Sequence, residues 1–278
     1  MIESAVSLGC GRSDSFGRRR AATIENLKPV SAEPAPCKIC GGEAPLYGVV
    51  DFNRNCEIPN GITLALTGTP IYYRRCGSCG FLFTDAFDNW NKDEFKTYIY
   101  NDAYYSVDPG YVAERPNSNA EVVARLWGPL KAETRVLDYG GGNDVFCAAL
   151  RASGFPVAVT YDPMVPEFAR RPDGKFNLVT CFETLEHLPD PTAGIAQIIE
   201  YAADPGLVLF TTLLLPTDFD KQRLNWWYIG PRNGHVSIFS KQALTAAWNR
   251  YGYKIASFND NNHFAFRTLP PFLAHLEK

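Results

Sequence analysis

The chain has 278 residues, 46% of them hydrophobic and 21% charged, with a formal net charge of −3. That length can bury one full core beside a small accessory module, and the composition is that of an ordinary soluble globular protein. The near-neutral balance gives no reason to expect nucleic acid as a partner. The longest apolar run, 207–215, is too short for a membrane span and is broken by Thr211 and Thr212.

No apolar segment follows Arg18–Arg20, so no secretory signal is legible, and Glu3, Asp14 and Glu25 argue against an organellar presequence. Four of the eight cysteines fall in two CxxC pairs. Without a secretory signal, that pattern points to metal in a reducing compartment. The expectation is a cytoplasmic, soluble protein.

Residues 1–35 mix Gly, Ser, Arg, Ala and Pro without a period and read as a disordered tail, ending in a linker over 31–36. A module over 36–84 follows. Cys37-Lys38-Ile39-Cys40-Gly41 opens it and Cys76-Gly77-Ser78-Cys79-Gly80 closes it. Each CxxC followed by glycine is a knuckle that aims two thiolates at one point, and two knuckles meet the tetrahedral preference of zinc. Cys37, Cys40, Cys76 and Cys79 are therefore expected to hold a structural zinc; redox dithiols or space-filling thiols are the competing reading. Residues 47–52 and 71–75 have strand composition. Cys56 has no partner at motif spacing, and Cys10, Cys147 and Cys181 read as a tail thiol and two core residues.

Residues 85–128 are rich in aromatics and read as a helical bridge over the entrance to the main domain, with a helix over 119–127 that carries Val122, Val123 and Leu126 on one face. Its tyrosines either pack the ribbon against the larger domain, or one of them, Tyr104 or Tyr105, faces a cofactor. The main domain spans 129–267, with residues 268–278 left as a C-terminal tail. Strands are expected at 135–138, 156–161, 175–181 and 206–212, helices at 191–203 and 241–251, and a closing pair of strands at 253–258 and 263–266. Strands alternating with helices imply an α/β fold with a mostly parallel, Rossmann-like sheet and an antiparallel edge hairpin.

The chemistry gathers at Asp138-Tyr139-Gly140-Gly141-Gly142-Asn143, between the first of those strands and an apolar helix. A strand, a glycine turn and a helix N-terminus bring backbone N–H groups close to a ligand. Asp162 ends the next strand, where an acidic side chain can accept hydrogen bonds from ribose hydroxyls. Nicotinamide dinucleotides and S-adenosylmethionine both use this geometry. The dinucleotide fingerprint wants glycine where Val145 stands, which weakens that option.

Phe182-Glu183-Thr184-Leu185-Glu186-His187-Leu188-Pro189-Asp190-Pro191 follows its strand directly. Together with the glycine turn and Asp162, it resembles the class I S-adenosylmethionine-dependent methyltransferases over about residues 120–267. The cysteine module resembles the zinc-binding domain that precedes such a domain in sugar C-methyltransferases. Those enzymes usually carry a further C-terminal domain for which this chain has no room, which puts sugar C-methylation in doubt. The resemblance implies that Asp138, Gly140, Gly141 and Gly142 hold the methionine part of the donor, that Asp162 holds its ribose, and that Phe182 and Glu183 border it. The strand that usually carries an adenine-contacting acid is trimmed or absent between Asp162 and Phe176. Glu183, Glu186 and His187 also resemble the metal-binding set of ubiquinone-pathway O-methyltransferases; the competing reading is a structural turn whose charged groups cap local backbone.

The loop 213–238 carries Trp226, Trp227 and Tyr228, aromatic rings suited to holding substrate and a cationic sulfonium. His235 and His187 are the candidate catalytic residues, His235 as a base. His263 reads as structural. The expected activity is methyl transfer from S-adenosylmethionine to a small-molecule acceptor, with a sugar or nucleotide-sugar as candidate. The alternatives are a nucleotide-binding oxidoreductase and a noncatalytic zinc-ribbon protein with a degenerate cofactor site.

Overall fold

The computed structural model describes residues 24–271. Its N-terminal part contains β1 (Ala35–Pro36), β2 (Glu43–Ala44), β3 (Leu46–Asp51), β4 (Pro70–Arg75) and β5 (Leu82–Phe83). Next come α1 (Lys92–Tyr98), 3-10 turns at Tyr104–Ser106 and Pro109–Tyr111, and α2 (Glu114–Trp127). The remainder runs β6 (Arg135–Tyr139), α3 (Val145–Ala152), β7 (Val157–Tyr161), β8 (Phe176–Cys181), α4 (Pro191–Ile199) and β9 (Ala202–Thr211). It ends with α5 (Phe219–Gln222), β10 (Ser237–Ile238), α6 (Lys241–Asn249), β11 (Lys254–Ser257) and β12 (Asn262–Phe266).

The main sheet has the order β11-β12-β9-β8-β6-β7. Its β7, β6, β8 and β9 are parallel, whereas β12 runs antiparallel to both β9 and β11. This is the α/β architecture expected, including the antiparallel hairpin at one edge. Val136 and Leu137 in β6 are both fully buried, as a parallel strand covered on two faces requires. One core lies under α4 and α6, where Ile195, Ile198, Leu244 and Trp248 meet Val179, Val208 and Phe210. Another lies under α2 and α3, where Val123, Trp127, Phe146 and Leu150 meet Val136, Leu178 and Leu209. The sheet ends at β7, so of the two expectations for the strand between Asp162 and Phe176, trimmed or absent, the described residues show it absent from the sheet.

Several boundaries move. The helix expected at 119–127 starts at Glu114, with Pro116 in its first turn, where the missing N–H costs nothing. Its buried stripe is Ala120, Val123 and Trp127, while Val122 and Leu126 face outward. Helix α4 stops at Ile199 instead of Ala203, because Ala202 pairs with Phe176 to open β9. The expected disordered tail is also revised: among residues 24–35, Ile24 and Leu27 pack on the ribbon core and Lys28 N–H donates to the Ala86 carbonyl at 2.8 Å. Arg74, 1% exposed, donates to the carbonyls of Ser31 and Glu33 and pairs with Asp85 at 3.2 Å. Residues 1–23, with Cys10, and residues 272–278 lie outside the described part.

The cysteine module is not a separate bead. Strand β10, from the long loop after β9, pairs with β5 and extends the ribbon sheet to β10-β5-β4-β3. Phe81 and Phe83 share a core with Leu185, Phe239 and Ala243. Among the described residues no helix is long and apolar enough to cross a membrane.

Candidate active site

A cavity of about 920 Å³ opens at the carboxyl ends of β6, β7 and β8, the usual ligand position in an open α/β sheet. All the residues expected to hold the donor line it: Asp138, Gly140, Gly141, Gly142, Asp162, Phe182 and Glu183.

The glycine turn is shaped by its neighbours. Gly140 has φ +75°, and a Cβ there would lie 2.6 Å from Thr184 Oγ1; at Gly141 a Cβ would collide with the Asp138 carboxylate. Side chains are excluded at both positions, which leaves bare backbone facing the cavity. Asp162 Oδ2 accepts from Gly142 N–H at 2.9 Å, and its Oδ1 accepts from Met164 N–H at 2.7 Å. The acid thus braces the turn while lining the same cavity, and each oxygen keeps a second lone pair for a ligand hydroxyl. Asp138 is buried, accepts from Thr180 Oγ1 at 2.7 Å, and is pushed up to about 7, chiefly by desolvation. Glu183 sits at φ +47°, its N–H donating to Thr211 Oγ1 at 2.8 Å, and burial raises its carboxyl.

Sequence reasoning missed Arg115. It projects from the first turn of α2, pairs with Asp108 at 2.7 Å, and is with Lys96 one of two cations on the cavity wall. The side chain of Asn143 donates to the Val112 carbonyl at 2.9 Å and so ties this segment to the glycine turn. No motif marks Arg115, because the arrangement depends on how α2 packs on α3.

The other end of the cavity is aromatic. Tyr100, Tyr104 and Tyr111 from the bridge face Trp227 and Tyr228 from the loop after β9. Of the two tyrosines singled out as cofactor-facing, Tyr104 lines the cavity and Tyr105 is exposed. Trp226 is a correction: it is buried with Phe219 and Leu224 in the ribbon core and does not reach the cavity, because successive side chains in this segment point to different sides. Trp227 is 44% exposed at the rim.

His187 and His235 both line this end, their rings 5.0 Å apart. His235 Nδ1 lies 2.9 Å from the Tyr228 carbonyl and 3.5 Å from Cys56 Sγ. A carbonyl only accepts, so Nδ1 carries the proton and the lone pair is on Nε2. Burial pushes His235 down to about 4, and burial followed by the His235 charge lowers His187. Tyr73, in β4 of the ribbon, donates to the His235 carbonyl at 2.7 Å. Cys56, unassigned by spacing, is thus a second contact of His235. Glu186 is fully buried; its Oε1 accepts from Tyr228 OH at 2.7 Å, whereas Oε2 has no hydrogen-bond partner among the described residues. Burial and then Glu183 raise it to about 8. Among the described residues His187 Nδ1 is likewise buried without a hydrogen-bond partner of normal geometry, although the Gly234 and Asn233 backbone lies beside it. Ligand atoms of Glu186, His187 and His235 lie within 4.8 Å of one another. Asp190 caps α4 through Ala193 N–H at 3.0 Å, as the turn reading expects, and Ser240 caps α6 in the same way. His263 joins Ser257 and the Thr212 carbonyl away from the cavity.

Apart from this cavity, Cys37, Cys40, Cys76 and Cys79 converge. Sulfur separations are 3.6 Å for Cys37–Cys79 and 3.5 Å for Cys40–Cys76, and all four lie within 4.8 Å of one another. Four sulfurs about 2.3 Å from a tetrahedral zinc would be about 3.8 Å apart, so the group fits that ion.

A family model described as a methyltransferase domain matches residues 111–257, more than half of the chain. A ubiquinone biosynthesis O-methyltransferase of Aromatoleum aromaticum is 30% identical over 105 residues, covering 30% of this chain and 45% of that protein. The protein of the same name from Xanthomonas oryzae pv. oryzae is 39% identical over 92 residues, covering 31% of this chain and 38% of its own. The chain spans less than half the length of these curated relatives. Among solved structures, an amino pentose methyltransferase from Micromonospora echinaspora aligns with a TM-score of 0.43 at 15% identity, over 61% of this chain and 98% of that one. The matched segment holds the glycine turn, Asp162 and the 182–191 segment; the chain belongs to the methyltransferase-domain family.

Proposed function

We propose that the protein is an S-adenosylmethionine-dependent methyltransferase acting on the hydroxyl oxygen of a small molecule. The observation that carries this reading is the convergence of the glycine turn, Asp162, Phe182 and Glu183 on one cavity whose far end is aromatic. When bound, the donor supplies an activated methyl group on a sulfonium. Asp162 would accept from its ribose hydroxyls, the glycine turn would receive its methionine part, and Arg115 would pair with its carboxylate. The carboxylates of Asp138 and Glu183 and the nearby rings suit a ligand with cationic sulfonium and ammonium groups. Methyl transfer is an in-line displacement, so these residues act mainly by alignment and by excluding water. Tyr100, Tyr104, Trp227 and Tyr228 would hold the acceptor, and His235 Nε2, unprotonated at neutral pH, can take its proton. Oxygen as the acceptor atom rests on the O-methyltransferase relatives; a sugar or nucleotide-sugar remains the finer candidate from the cysteine module. In the same reading the four cysteines hold a structural zinc.

Calorimetric titration tests it. Tight binding of S-adenosylhomocysteine, no binding of NADH, and at least about tenfold weaker binding by Asp162→Ala are expected. NADH binding without S-adenosylhomocysteine binding would establish the oxidoreductase alternative. Donor binding without turnover on any hydroxyl acceptor would favour the noncatalytic one.

The unpartnered Glu186 Oε2 and His187 Nδ1 beside His235 favour a second reading, in which these three residues hold a divalent cation that orients and acidifies the acceptor hydroxyl. Turnover that survives exhaustive removal of Mg²⁺, with zinc retained, would exclude it.

A further inference from the structure

Lys38 lies inside the first cysteine knuckle, between Cys37 and Cys40, yet its ammonium is committed elsewhere. Nζ donates to the Pro189 carbonyl at 2.8 Å, to the Thr84 carbonyl at 3.2 Å, and to Asp88 at 2.5 Å. It also sits 5.3 Å from the centre of the Phe83 ring. A lysine has three N–H donors, and here two serve the loop after β5 and the third reaches the 184–190 segment, with the side chain only 15% exposed. Ordering so flexible a side chain costs entropy that a solvated lysine avoids.

Pro189 belongs to the cavity wall, together with Thr184, His187, Leu188 and Asp190. That wall has little regular structure of its own, a single 3-10 turn over Leu185–His187. Its carbonyls are held from the ribbon side instead: Glu186 by Val236 N–H at 2.9 Å, Leu188 by Ser237 Oγ at 2.6 Å, and Pro189 by Lys38. Of the three, only Lys38 comes from between two cysteines of the four-sulfur group. The knuckle's backbone closes around the Cys37 sulfur, which accepts from Ile39 N–H at 3.4 Å, so the lysine's position depends on the sulfurs staying together.

We propose that Lys38 is a positioning residue that fastens the 184–190 wall of the cavity to the cysteine knuckle, so that filling the four-cysteine site tightens donor binding. The knuckle then serves the methyltransferase site directly, besides stabilising its own module. The part concerning the donor rests on the proposed function; the tie itself does not.

The test compares wild type, Lys38→Met, Lys38→Arg and Asp88→Asn as zinc-loaded full chains, together with zinc-stripped wild type. Three quantities are read: zinc per chain, S-adenosylhomocysteine affinity by calorimetry, and amide hydrogen exchange over 184–194. Lys38→Met should keep its zinc, bind about tenfold more weakly and exchange faster in that segment, with Arg restoring most of both. Asp88→Asn should fall between, and zinc-stripped wild type should resemble Lys38→Met. Wild-type affinity and exchange in a zinc-loaded Lys38→Met would overturn the proposal. If Lys38→Met does not fold, unchanged exchange in both Asp88→Asn and the zinc-stripped protein overturns it instead. Should wild type not bind S-adenosylhomocysteine at all, the donor assignment fails, and the exchange data still decide the role of Lys38.

Discussion

Asp138 shows how a buried carboxyl couples stability to pH. Its carboxyl is buried under the glycine turn with one hydroxyl donor, Thr180, and its folded value of about 7 exceeds the unfolded value near 4. The native state therefore binds a proton that the unfolded chain has already lost above pH 4. Stability from this group is complete below pH 4 and is lost as pH rises through 7. Thermal unfolding should show a decline between about pH 4 and 7 that Asp138→Asn flattens; an equal slope in the variant would show that the carboxyl is solvated. At the same scale, His235 and Cys56 teach the opposite lesson about legibility. A histidine in a long loop and a cysteine outside any motif carry no signal of mutual approach, yet the fold sets them 3.5 Å apart. Trp226 and Trp227 are adjacent and alike in composition, and only packing separates a core residue from a cavity residue.

At the scale of elements, periodicity located the buried parallel strands and the capped helices well, because each is dictated by its own apolar pattern. Ser240 before α6 and Asp190 before α4 act as the caps their side chains allow. The failures share a cause. The pattern of α2 puts Val122, Val123 and Leu126 on one face, but the surface of α3 selects the stripe Ala120, Val123 and Trp127 and leaves Val122 and Leu126 outside. Strand β10 is two residues long and has no sequence signature; it exists because β5 offers an open edge beside it. The segment 24–34 looks unstructured in composition, yet the buried Arg74 guanidinium needs acceptors and takes them from the Ser31 and Glu33 carbonyls.

For the whole molecule, the cysteine module and the α/β domain are joined through shared core and shared sheet. Phe81 and Phe83 pack with Phe239 and Leu185, and Tyr73 holds the His235 backbone from β4. If the four cysteines hold zinc as proposed, stripping it from a module this small removes the folding free energy that its binding supplies. Chelation, or Cys76→Ser, should therefore lower the melting temperature by about 10 °C or more, and should broaden or split the transition only if the two parts unfold separately. Cys147→Ala, at a buried thiol outside the four-cysteine group, is the comparison. A melting temperature indifferent to chelation would mean that the four thiols pack without an ion.

The α/β class, the glycine turn, Asp162 at the end of β7 and the two cysteine knuckles were legible in local sequence, since each depends on residue types at short, regular spacing. Arg115, the tyrosine wall, the Cys56–His235 contact and the Lys38 tie were decided only by the tertiary structure. The Cys56–His235 contact and the Lys38 tie join segments separated by long stretches of chain, and where Arg115 and the tyrosines come to lie depends on which faces of α2, the ribbon and the post-β9 loop bury against one another.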